Sequence, residues 1–160
     1  MVQSPAIRAA SGAAGVAARG LRPLAAVLLG LLLVEFLAGM VVNLWILVPA
    51  AHPGANPANY VTGSAASVAW VIGTGPLALR LHALLGLLLL ILAVWMLTRA
   101  LRAGRPPWTA VSVLGLIGVV AAGFNGASFL DYGRQSSSFL MLIAFLLASG
   151  AYAVGLYQTR

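Results

Sequence analysis

Four long apolar stretches dominate the pattern of this chain, separated by short segments that hold nearly all of its polar and turn-forming residues. They run over about 24–48, 79–98, 108–130 and 138–157. Each reaches the roughly 20 residues that a helix needs to cross a bilayer. The pattern predicts an all-α integral membrane four-helix bundle, with residues 23–158 forming a single four-transmembrane-helix domain. Residues 1–22 are rich in Ala, Gly and Ser and lack apolar periodicity, so they read as a disordered arm. The first apolar run is followed by Ala50 and Ala51 but is too long for the core of a signal peptide, so it reads as an uncleaved span.

The one long connection, residues 49–78, opens with Pro49, Pro53 and Pro57, which disfavour helix. A short apolar stretch follows, Ala65 to Ile72, closed by Gly73, Gly75 and Pro76. It cannot span, and it predicts a short helix on the outer surface or capping the bundle.

Composition supports the membrane reading: 62% of residues are hydrophobic and only 7% are charged, where a soluble domain carries about 25%. The net charge of +7 comes from Arg alone. These Arg residues are scattered at predicted helix ends rather than gathered on one face, which argues against nucleic acid as a partner. Arg8, Arg19, Arg22, Arg99, Arg102, Arg105 and Arg160 fall on one side of a four-span arrangement, and only Arg80 and Arg134 on the other. The positive-inside rule then places both termini in the cytoplasm. Trp95 and Trp108 mark the inner interface and Trp45 the outer one. The Lys-free bias toward Ala, Gly, Leu, Val and Arg suggests a GC-rich bacterial genome, hence a bacterial cytoplasmic membrane. The absence of Cys excludes disulfides, thiolate metal sites and Cys-linked haem.

Each span carries a stripe of small or polar residues suited to close helix packing. The stripes are Glu35, Gly39 and Asn43; His82, Gly86 and Ala93; Gly118, Ala122 and Gly126; and Ala144, Ala148, Ala151 and Gly155. They fit packing inside one bundle or against a partner subunit.

Glu35 is one of two acidic residues and lies near the middle of its span, where an ionisable group costs roughly 3 kcal/mol or more and marks a functional site by default. Counting along the spans puts no Arg or His at its depth. Ser149 is the nearest polar candidate, so Glu35 reads as a neutral acid bonded to Ser149 or a carbonyl, as a proton carrier, or as a contact for a partner helix. Asn43, His82 and Asn125 are expected to share one layer farther out, with Ser128 just above. That layer is either a hydrogen-bonded register device or a small outward-facing pocket for a cofactor, quinone, lipid or solute. Arg80 and Asp131 are candidates for a rim ion pair.

The run from Leu81 to Leu97, LHALLGLLLLILAVWML, resembles the haem-bearing helix of heme A synthase and cytochrome b561-type bundles. The resemblance covers 81–97 only. It implies His82 as a ligand to haem b and Gly86 as the point where the porphyrin approaches. Such bundles draw a second ligand from another helix; the third and fourth spans hold no His, which leaves His52 in the loop, or a non-His group for which Met141 is poorly placed. Over its full length the chain is similar to small four-span bacterial membrane proteins of unassigned function.

No hydrolase, metalloprotease or phosphate-loop signature is present, and two acids with no Cys make a catalytic constellation hard to assemble. The leading expectation is a non-catalytic accessory or structural subunit packing in the bilayer against a larger membrane complex, or against itself. The alternatives are a b-type haem or quinone-binding redox protein using His82, and a small proton-coupled transporter using Glu35. The stretch FNGASFLDYG, Phe124 to Gly133, has the look of a motif without an evident chemistry.

Overall fold

The computed structural model describes residues 19–158. They form five helices: α1 (Leu21–Trp45), α2 (Tyr60–Thr74), α3 (Leu77–Ala103), α4 (Pro106–Tyr132) and α5 (Gln135–Gln158). Four of them, α1, α3, α4 and α5, are long and apolar enough to cross a membrane, the architecture of a multi-pass membrane protein. The expected arm over residues 1–22 lies mostly outside the described residues, and α1 is already helical from Leu21.

The helix ends follow local chemistry. Gly104 ends α3 with φ 60° and Gly133 ends α4 with φ 63°, the left-handed conformation that glycine adopts without a Cβ penalty. Pro106 opens α4, where its missing N–H costs nothing. Asn59 caps α2 by accepting the Thr62 N–H at 3.2 Å. That cap starts α2 five residues ahead of the apolar stretch at Ala65, so the helix has 15 residues rather than the eight expected.

The four long helices pack in a ring, α1 beside α3, α3 beside α4, α4 beside α5 and α5 beside α1, while α2 lies across α3 and α4. The main core is built from Leu28 and Leu32 of α1, Leu89 and Met96 of α3, Trp108 and Val119 of α4, and Ala148 and Tyr152 of α5. A smaller cluster of Val42, Val71 and Leu79 seats α2 at the capped end of the bundle. Most other large apolar side chains of the spans face outward, as lipid contact requires.

The small-residue stripes of α4 and α5 are used inside the bundle. A Cβ at Gly118 would stand 2.7 Å from both the Ala144 carbonyl oxygen and the Ala148 nitrogen. The Tyr152 ring occupies the space over Gly115. This backbone approach brings α4 and α5 into the tightest pairing of the fold, by the packing logic that operates where lipid gives no hydrophobic drive.

Candidate functional site: a His–Glu pair between the first and third helices

Glu35 sits ten residues before the end of α1, about 15 Å along the helix. Half of a ~30 Å hydrocarbon layer therefore lies above it. Its Oε1 is 3.1 Å from Nδ1 of His82 on α3, with 17% of the Glu35 side chain and 24% of the His82 side chain exposed. The pair overturns the expectation that no Arg or His lies at the depth of Glu35. The reason is register. Gly39 packs against His82 and Gly86 packs against Glu35, which brings Trp45 level with Pro76, the residue just before α3. Because α1 ends at Trp45 rather than at Val48, His82 lies about a turn deeper than Asn43.

The two glycines make room for the pair reciprocally. A Cβ at Gly39 would stand 3.1 Å from His82 Cε1, and one at Gly86 would stand 3.1 Å from Glu35 Oε1. The contact is close but poorly aligned: buried Nδ1 lies within ion-pair distance of Oε1 without a well-directed hydrogen bond, and the buried Oε2 has no partner among the described residues. A nitrogen and an oxygen at this distance need a proton between them or opposite charges on them, since two lone pairs would repel. The ring's exposed surface lies away from the buried Nδ1, and Nε2 makes no hydrogen bond among the described residues.

The other polar candidates separate from this pair. Asn43 Oδ1 accepts from Ser138 Oγ at 3.2 Å, and Asn125 Nδ2 donates to the Ala121 carbonyl of its own helix at 2.8 Å. Asn43, His82 and Asn125 therefore make no hydrogen bond to one another. Arg80 and Asp131 do not pair either. The Arg80 guanidinium donates to the carbonyls of Gly73 and Gly75, at 3.1 and 3.3 Å, closing the α2–α3 turn.

Asp131 anchors a second site, the seat of the cap. It is 2% exposed, and its two carboxylate oxygens accept from Ser64 Oγ and Ser67 Oγ, both at 2.6 Å. Its carbonyl accepts the Asn56 N–H at 2.8 Å. One to two turns earlier on α4, the Tyr60 hydroxyl donates to the Phe124 carbonyl at 2.8 Å and lies 3.1 Å from Ser128 Oγ, with its ring tilted against Phe124. His52 Nε2 faces the Leu130 carbonyl at 3.1 Å, and its ring stacks on Trp70 at 4.6 Å. The stretch Phe124–Gly133 is thus a docking strip for residues 52–67.

Sequence reasoning missed Ser64, Ser67, Tyr60 and Trp70. The usable signal was Tyr60, Ser64, Ser67 and Val71 at spacings of four, three and four, one face of a helix. His52, named as a distant candidate for a metal, is committed to this cap. Among the described residues no group of three or more His, Asp or Glu is placed to hold a metal ion. Met141 lies beside Gly126, 3.4 Å from where its Cβ would stand, in the α4–α5 contact.

Comparison with protein-family models, with curated proteins and with solved structures finds no match to this chain.

Proposed function

We propose that this chain is a small subunit of a larger bacterial membrane assembly, non-catalytic by itself, that holds and passes a proton at Glu35 and His82. The observation that carries the reading is the 3.1 Å contact between these side chains at mid-span. Burying such a pair costs several kcal/mol per ion before its attraction is counted, and a leucine pair would pack the same interface without that cost. The pair can carry a proton on either partner, which a purely structural contact does not need. The subunit part of the reading rests on the small size of the chain, its four spans and its very small polar portion. The Arg distribution supports both termini on the cytoplasmic side, with α2 and its loop outside.

Infrared titration of the reconstituted protein tests the site. A carboxyl band that Glu35→Gln removes and His82→Gln displaces supports it. A Glu35 band that is indifferent to His82 overturns it. Purification from native membranes under mild detergent tests the assembly: reproducible larger partners support it, and a clean single chain counts against it.

A second reading, a b-type haem or quinone protein, is favoured by one feature of the same pair. A carboxylate on Nδ1 orients a histidine so that Nε2 faces outward as ligand or hydrogen-bond partner. His52 being engaged in the cap, a second axial ligand would come from a non-His group or another chain. An absorbance spectrum of purified protein, oxidised and then reduced with dithionite, decides for or against haem.

A further inference from the structure

We infer that a file of bound water joins Glu35 to the Arg-rich end of the bundle by way of Ser149 and Tyr152, and that protons reach the pair along it. The inference rests on the proton-handling reading of Glu35 and His82 and adds the route.

Besides His82 Nδ1 at the pair and Arg80 Nε at the cap, three buried polar atoms have no hydrogen-bond partner among the described residues: Glu35 Oε2, Ser149 Oγ and the Tyr152 hydroxyl. In a membrane a buried hydroxyl or carboxyl oxygen without a partner costs several kcal/mol, and a serine inside a helix ordinarily turns back to the carbonyl four residues earlier. Ser149 leaves that carbonyl, on Phe145, unused. Phe145 is itself stacked on Phe36 at 4.9 Å, which sets α5 level with α1 at Glu35. From there Ser149 and Tyr152 follow at four and seven residues, about 6 and 10 Å farther toward the Arg-rich end. The residues that bear the three orphan atoms thus succeed one another at roughly one-turn intervals toward the Arg-rich end, with the Tyr152 hydroxyl lying against Gly115 of α4.

The surface of the bundle is grooved near the lower end of this series. A groove of about 680 Å³ enters between α1 and α5 from the Arg-rich end, lined by Arg22, Ala26, Leu29, Ala153 and Leu156. Ala153 of this lining follows Tyr152 in the chain, while Tyr152 itself is fully buried and does not line the groove. Water bridging two or more polar groups satisfies them nearly as well as direct bonds, and a hydroxyl both accepts and donates, so it passes a proton without gaining charge. The other helices packed here add no titratable group. α3 contributes Leu89 and Ala93 to this part of the core, and α4 contributes Gly115 and Ser112, whose hydroxyl is already committed to the Trp108 carbonyl at 2.7 Å. Asp131, His52 and Arg80 all belong to the cap at the opposite end.

The test follows the Glu35 carboxyl band of the full chain in vesicles by time-resolved infrared spectroscopy after a pH jump. Tyr152→Phe and Ser149→Ala, each melting like the parent, are expected to slow its response about tenfold or more without changing the pH at which the band titrates, and Ser149→Thr to restore the rate. Unchanged rates in both variants, with the band still titrating, overturn the route and leave the acid–base pair standing. A band that does not titrate in the parent overturns the pair and the route with it.

Discussion

Gly39 of α1 stands directly under the imidazole of His82, with room for a Cβ only 3.1 Å from Cε1. The ring reaches Glu35 because that space is empty. Alanine at Gly39 requires a shift of a few tenths of an ångström that a side chain at an interface can make, at a cost of about 1 kcal/mol or less. Leucine has no such option and is expected to push His82 off Glu35. The ¹⁵N shifts of the His82 ring should stay near the parent's in Gly39→Ala and move to those of an isolated imidazole in Gly39→Leu. The same contrast should hold for Gly86→Ala and Gly86→Leu.

The cap makes a separate prediction. Asp131 holds α2 through two O–H donors at 2.6 Å, and hydrogen bonds to a charged acceptor contribute about 1.5–3 kcal/mol each. Asp131→Ala leaves Ser64 without an acceptor and Ser67 with only its long contact to the Pro53 carbonyl at 3.4 Å, and should release α2 from α4. Hydrogen exchange across residues 52–74 should then accelerate about a hundredfold or more, while the spans remain protected. Asp131→Asn keeps one carbonyl oxygen and should give an intermediate rate. Equal protection in all three proteins would mean that the apolar contacts of Val71 hold α2 without help.

The count and nature of the spans were legible in the sequence because hydropathy over some 20 residues is a property of composition, and burial within the bundle hardly affects it. Pairing was not. His82 and Asn43 looked level because the span was extended to Val48, and three residues of error at a helix end move a side chain by most of a turn. Glu35 was recognised as costly from its depth alone, but its partner depended on the register between α1 and α3, which Gly39 and Gly86 set by close approach. Asp131 looked like half of an ion pair because Arg80 was expected at the same outer rim. The serines that bind it lie on a helix whose apolar stretch, Ala65–Ile72, drew attention away from its polar face. The role of Phe124–Gly133 was invisible because the strip works largely through backbone carbonyls, those of Phe124, Leu130 and Asp131.

The α4–α5 contact should be the least tolerant in the molecule. A Cβ at Gly118 meets backbone on both sides, at Ala144 and Ala148, so no rotamer change relieves it. Gly118→Ala is expected to separate the helices and cost roughly 1–3 kcal/mol, lowering the melting temperature in detergent by several degrees. Gly123, with nothing within 4 Å of a Cβ, serves as the matched control on the same helix. Gly123→Ala should melt at or slightly above the parent temperature, since alanine favours helix over glycine by up to about 1 kcal/mol.

The orientation is open to a direct test because the chain contains no Cys, so single introduced thiols report without background. Ala58 lies in the exposed loop that leads into α2, and Gly104 lies in the exposed turn between α3 and α4, at opposite ends of the bundle. Neither contributes to the core; Ala58→Cys should leave the fold intact, and Gly104→Cys strains the left-handed turn by about 1–2 kcal/mol and should still fold. In whole cells a membrane-impermeant maleimide is expected to label the cysteine at 58 and to reach the one at 104 only after lysis, as the gathering of Arg99, Arg102 and Arg105 around that turn requires under the positive-inside rule. The reverse pattern would invert the molecule. The groove beside Arg22 would then open outward, and any proton arriving by Tyr152 would come from outside the cell.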